Sequence, residues 1–140
     1  MWIQKIDEFK GRLSQGTAFL SAAPDGTSDG IPEMSTHYNE RPAGAEIPPH
    51  THDRAEVWVF MSGRAITMSG NEIREVTAGD VALTPSGTPH ALQVIGSEPL
   101  RYYAFNAPPA SSSPMVDAPV EAVVRWNKVK EGLLSGRKTF

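Results

Sequence analysis

The 140-residue chain contains no cysteine. A disulfide framework, a thiolate zinc site and a cysteine nucleophile are excluded, and with them the main reason to expect an oxidising compartment. No stretch approaches the roughly eighteen consecutive apolar residues that a membrane helix needs. The N-terminal MWIQKIDEFKGRL has neither a continuous apolar core nor a small-residue cleavage site, so it does not read as a signal peptide, and cytoplasm is the expected location. An excess of positive charge is also missing: 13 basic and 16 acidic residues leave a net charge of -3. Proteins that live by neutralising phosphates carry a basic face. Nucleic acid and acidic membrane surfaces are therefore not expected partners.

What is present is an ordinary globular balance, 39% apolar and 21% charged, in a chain of common single-domain length. Three zones follow one another. Residues 1–32 form an N-terminal extension in which Trp2, Ile3, Ile6, Phe9 and Leu13 make a short apolar-periodic piece, followed by a Gly/Pro/Asp/Ser-rich loop from Ser21 to Pro32. Residues 33–107 are a run of short segments rich in Val, Ile, Trp, Phe, Tyr and Thr. Strands are predicted over 33–41, 55–61, 64–68, 72–76, 80–84, 89–95 and 100–105. Ser69-Gly70-Asn71 and Ser62-Gly63 are predicted tight turns. Many short strands at close spacing predict an all-β sandwich or barrel. Residues 108–140 begin with the linker PPASSSP; Val120, Val123, Val124, Trp126, Val129, Leu133 and Leu134 then predict an amphipathic helix over Pro119–Leu134, ending near Gly136.

Two clusters carry chemistry. In the first, Gly44 is followed by His50, His52, Glu56 and Gly63. Residues two apart on a strand share a face, so one continuous strand would present both imidazoles and the Glu56 carboxylate together, with Trp58 and Phe60 beside them. In the second, Gly79, Pro85 and Gly87 set turns that deliver His90 to the next strand. Three of the chain's four histidines fall in these clusters. Three imidazoles and one carboxylate suit one divalent transition ion (Fe, Mn, Ni, Co, Cu or Zn) and leave coordination positions open, as catalytic sites do. An inward carboxylate without a counter-charge would be costly, which favours Glu56 as a ligand. Trp58, Phe60, Tyr103 and Phe105 are candidate pocket-lining residues, with Tyr102 or Tyr103 able to bring a hydroxyl. His37 lies outside both clusters and is expected as an exposed or hydrogen-bonded strand histidine, with a supporting or substrate-contacting role the alternative; Met61 and Met68 read as core or interface filler.

The two clusters resemble the paired motifs of the cupin superfamily. The first matches throughout, from Gly44 to Gly63. The second matches from Gly79 to His90, but the family's usual asparagine falls on Val94, so Val94→Asn is expected to be tolerated. The resemblance implies a double-stranded β-helix, jelly-roll-like barrel over residues 33–107, a metal held by His50, His52, Glu56 and His90, and often a homodimer. It implies no single reaction, because fold does not fix function. A metal-dependent enzyme acting on a small organic molecule is expected, leaning to a dioxygenase-type oxidoreductase. A metal-dependent lyase or isomerase and a non-catalytic small-molecule sensor are the alternatives. For the homodimer, Trp2, Ile3, Phe9, Val124, Trp126 and Leu133 are the candidate interface residues.

Overall fold

The computed structural model describes residues 3, 5, 7, 13–19 and 31–138; Trp2, Ile6, Phe9 and most of the 21–32 loop lie outside them. Period-two alternation builds the architecture. Along β9 (Leu100–Ala107), Leu100, Tyr102, Ala104 and Asn106 are buried while the residues between them are not, the signature of a strand with one face in a core. The strands before it are β1 (Thr17–Phe19), β2 (Ser35–Arg41), β3 (Glu46–Thr51), β4 (Ala55–Ser62), β5 (Arg64–Ser69), β6 (Glu72–Thr77), β7 (Val81–Thr84) and β8 (His90–Ile95). After β9 come a 3-10 turn at Ala110–Ser112, the short β10 (Val116–Asp117) and helix α1 (Val120–Lys138).

These strands form two antiparallel sheets of five, ordered β1-β2-β9-β4-β7 and β10-β3-β8-β5-β6. Each sheet recruits a strand from outside residues 33–107: β1 pairs with β2, and β10 pairs with β3. The sequence pattern hid β3. Its Pro48-Pro49 pair argues against a central strand, yet β3 pairs with β8 through Glu46–Ile47 and again at His50, with a register shift at the prolines between.

The core between the sheets is built from Trp58, Phe60, Leu92, Val94, Leu100, Tyr102 and Ala104 with Ala65 and Val76. A second cluster lies on the outer face of the other sheet, where Ile66, Met68, Ala91 and Ile95 pack under Trp126 of α1. This explains why β5 and β8 show buried residues at nearly every position: one face looks into the barrel and the other is roofed by the helix. Within α1, Ala122 and Trp126, spaced by four, are both buried. Trp126 donates its indole N–H to Glu46 Oε2 at 3.2 Å. The helix runs past the expected stop at Gly136, which does not adopt the left-handed conformation that ends a helix. No helix of the described residues is long and apolar enough to cross a membrane.

Turns hold the strands in register. Gly63 joins β4 to β5 with φ of +82°, and a Cβ there would lie 2.4 Å from the Pro99 carbonyl oxygen. Only glycine meets both conditions.

Candidate metal centre

His50, His52 and Glu56 do not share a strand. The chain leaves one sheet after Thr51, turns through residues 52–54, and enters the opposite sheet at Ala55. The local chemistry pins this crossing. The Gly87 N–H donates to the His52 carbonyl at 2.9 Å, tying the turn to the loop before β8. Arg54 donates from Nε to Asn106 Oδ1 at 2.7 Å and from Nη1 to the Ala110 carbonyl at 3.0 Å, tying it to β9 and the segment beyond. The expected single strand is therefore corrected: the face is shared across the barrel rather than along one strand. His50 pairs in register with His90 on β8. Glu56 comes from the facing sheet, opposite Asn106 and Thr84.

The three imidazoles are oriented alike. Nδ1 lies 3.0 Å from the Pro48 carbonyl in His50, 3.1 Å from the Arg54 carbonyl in His52 and 3.0 Å from the Thr88 carbonyl in His90. A carbonyl can only accept, so each Nδ1 carries its hydrogen and each neutral ring keeps its lone pair on Nε2. Ligand atoms of the three rings lie within 4.8 Å of one another, and all three residues are buried. Among the described residues, His52 Nε2 and His90 Nε2 are buried with no hydrogen-bond partner. Glu56 faces them, with Oε2 at 3.5 Å from His52 Nε2 and Oε1 at 3.9 Å from His90 Nε2, while Oε1 also accepts the Trp58 indole N–H.

The protonation states agree with this geometry. Burial, reinforced by the neighbouring His50, pushes His90 down to about 4 from 6.5. His50 is lowered mainly by burial. Burial alone would raise Glu56, but the charge that His52 and His90 carry when protonated, together with the Trp58 N–H, holds it below the usual carboxylate value. Near neutral pH the site thus holds lone pairs on His50 and His90 and an anion on Glu56.

These groups fit a metal ion. Ligands about 2.0–2.2 Å from a common centre stand roughly 3–4.4 Å apart, and the measured separations fall near that range. Orphaned buried Nε2 atoms, each on a ring whose other nitrogen is anchored to a backbone carbonyl, are the arrangement in which a metal-ligating histidine is held. The buried triad could hold one ion.

A cavity of about 360 Å³ opens on the cluster. Of the candidate pocket residues, Trp58 lines it. Phe60 lies deeper, fully buried in the core. Tyr103 and Phe105 occupy the opposite face of β9, so the pocket-lining expectation for them is corrected: Tyr102, Ala104 and Asn106 line the cavity instead. The run Leu100-Arg-Tyr-Tyr-Ala-Phe-Asn106 offers aromatic residues on both alternations, and the inward one is disguised by its terminal asparagine. His37 also lines the cavity, with Nε2 3.0 Å from Ser35 Oγ, and burial pushes it down to about 4. Arg41 and Arg54 complete the polar wall. Sequence reasoning passed over both arginines. For Arg54 the available signal was its place between His52 and Glu56; for Arg41 it was its parity with His37 on β2.

Residues 38–106 match the model of the cupin domain. An uncharacterized protein of Methanocaldococcus jannaschii is 34% identical over 71 residues, covering 50% of this chain and 57% of that protein, so the match spans little more than half of its relative. The crystal structure of an uncharacterized conserved protein with a double-stranded β-helix domain from Klebsiella pneumoniae superposes with a TM-score of 0.64 at 23% identity, covering 83% of this chain and 97% of that one. The DMSP lyase of Ruegeria pomeroyi superposes at 0.55 with 24% identity over 62% of this chain and 44% of that one. At these identities the structural matches speak to fold alone. Residues 38–106 are thus a cupin domain, built as a two-sheet barrel around the histidine cluster and followed by a C-terminal helix.

Proposed function

We propose that His50, His52, Glu56 and His90 hold one divalent transition metal, and that the cavity above it is the active site of an enzyme acting on a small organic molecule. The observation that carries this reading is the pair of buried, partnerless Nε2 atoms on rings already anchored through Nδ1. Without an ion each would cost about 1–3 kcal/mol of unsatisfied burial. When bound, the ion supplies Lewis-acid polarisation of a substrate oxygen. The chain's own residues do the rest: Trp58 and Tyr102 exclude water from one wall, and His37 presents an imidazole that burial keeps neutral at physiological pH.

His37 gives a lyase or isomerase one support of its own, a neutral group able to take or return a proton beside the metal. The dioxygenase-type reading rests on the ligand set and its open positions. An oxygen electrode separates them. Oxygen consumption by the iron-loaded protein with phenolic or diketone substrates supports the dioxygenase. Anaerobic turnover that survives replacement of iron by zinc or nickel, and is lost in His37→Ala, supports the lyase or isomerase. Tight ligand binding without turnover under any metal supports a sensor.

The chain is further proposed to act as a homodimer. Val57 and Val59 on β4 stand beside Leu83 and Val81 on β7. With Met61 they form an apolar stripe on the outer face of the first sheet, where Met61, Val81 and Leu83 are 48%, 52% and 64% exposed. The other sheet's outer face is roofed by α1.

A further inference from the structure

The cavity walls carry two cationic side chains that the metal ligands do not pair with. Four side chains with a full charge line it: Glu46, Glu56, Arg41 and Arg54. Glu46 is neutralised from outside by Lys130 and accepts the Trp126 N–H. Glu56 faces the imidazole cluster. Neither arginine has a carboxylate partner among the described residues.

Both guanidinium groups are nevertheless held in place, and by neutral acceptors only. Arg41 donates to the Gln15 carbonyl at 2.8 Å, to Thr17 Oγ1 at 3.3 Å and to the Tyr102 hydroxyl at 3.5 Å. Arg54 donates to Asn106 Oδ1 and to the Ala110 and Ser113 carbonyls. The backbone is shaped around the first of these groups. A Cβ on Gly16 would lie 2.7 Å from Arg41 Nη1 and 2.6 Å from the Glu40 carbonyl oxygen, so this position must lack a side chain. Arg54 is only 7% exposed. A buried cation without a carboxylate in contact is costly; that cost falls on Arg54, while the half-buried Arg41 adds a second cation with no carboxylate in salt-bridge contact among the described residues. Arg54 stands at the level of Glu56 and Asn106, near the imidazoles. Arg41 closes the other end of β2, opposite Leu100, with Ala104, Ile47 and Trp58 on the wall between.

We propose that the ligand of this cavity is a small organic carboxylate, and that Arg41 and Arg54 select its charge. The inference builds on the reading of the same cavity as a metal-bearing ligand site. An incoming carboxylate supplies the missing counter-charge, accepts from a planar guanidinium, and is favoured further by the ion beside it.

The test is calorimetric titration of the full chain, zinc-loaded and chelator-treated, with acetate, malonate, succinate and glutarate. Succinamide serves as the uncharged counterpart and sulfate as the inorganic anion. At least one carboxylate should bind, and succinamide should bind at least about tenfold more weakly, as expected when a buried charge loses its ion partner. Arg41→Gln and Arg54→Gln should each weaken the best carboxylate by about tenfold or more, Arg41→Lys should recover part of the loss, and zinc content should stay at the wild-type level in Arg41→Gln. Arg54 ties β4 to the segment beyond β9, so if Arg54→Gln fails to fold, Arg41→Gln and Arg41→Lys decide the matter. Absence of binding across the panel, sulfate binding as tightly as the best carboxylate, or full carboxylate affinity in folded Arg41→Gln would overturn the proposal. Failure of the metal reading is separately visible: wild-type protein that takes up no zinc while binding a carboxylate through Arg41 rejects the metal and keeps the anion site.

Discussion

At the residue scale, the distinction that matters is between side chains that are merely buried and side chains buried with an atom left over. His90 is 1% exposed with its Nδ1 satisfied and its Nε2 not. His90→Ala or His52→Ala should therefore lower metal affinity by more than about a hundredfold, beyond the loss from disturbing an orienting partner alone. Both variants should stay folded, and differential scanning should show that added metal no longer raises their melting temperature. His37→Ala should keep the metal, since its ring pairs with Ser35; loss of metal from His37→Ala but not from His90→Ala would overturn the assignment. Val94 corrects an expectation. Its side chain is 1% exposed within the apolar cluster of Trp58, Phe60 and Leu92, and its N–H is already taken by the Ala45 carbonyl. An asparagine there would bury an unpaired amide, so Val94→Asn should cost about 1–3 kcal/mol, read as a lower urea midpoint. The histidine spacing was legible in the sequence because it repeats a motif. The consequence of Val94 was not, because it depends on which neighbours fill the space around it.

At the scale of elements, alternation located seven strands to within a few residues, and turn glycines set their limits. The strands it missed are those whose reason lies elsewhere. β3 contains a Pro-Pro pair that denies it ladder donors, and β1 and β10 are too short to show a period. This omission led to the expectation of one strand for His50, His52 and Glu56. The cluster is in fact assembled by a crossing between sheets, so it depends on both sheets staying together. Two predictions belong here. Gly63→Ala should destabilise by at least about 1–3 kcal/mol, from its left-handed backbone together with the collision at the Pro99 carbonyl. The second concerns pH. His37 on β2 and His90 on β8 titrate at about 4 in the folded chain against an ordinary 6.5. Their folded values are depressed, so the unfolded chain binds protons more readily between these limits. Metal-free protein should therefore lose stability as pH falls from 6.5 towards 4, and hold it above 6.5. Urea titrations at pH 7.5, 6 and 5 check this; unchanged midpoints would contradict the buried, neutral state of both rings.

For the molecule as a whole, the helix changes what the tails are for. Trp126, expected as an interface residue, is fully buried against Ile66, Met68 and Ile95 of its own chain. Val124 and Leu133 remain exposed, as does Ile3 at 99%. An amphipathic pattern says that a face will be buried but not by what, which is why the helix was legible and its partner was not. The apolar surface proposed to meet a second copy is the stripe of Val57, Val59, Met61, Val81 and Leu83. Light scattering at micromolar concentration should give about twice the 15.2 kDa chain mass, and Leu83→Glu should shift it towards one chain. A wild-type mass near 15.2 kDa would reject the dimer. The central claim concerns the cavity and is tested most directly by counting metal. Protein stripped with chelator, reloaded separately with Fe(II), Mn(II), Co(II), Ni(II), Cu(II) and Zn(II) and freed of excess, should retain close to one ion per chain for at least one of them by elemental analysis, with His90→Ala retaining almost none. Wild-type protein that holds none of these ions, or His90→Ala that holds as much as wild type, would contradict it.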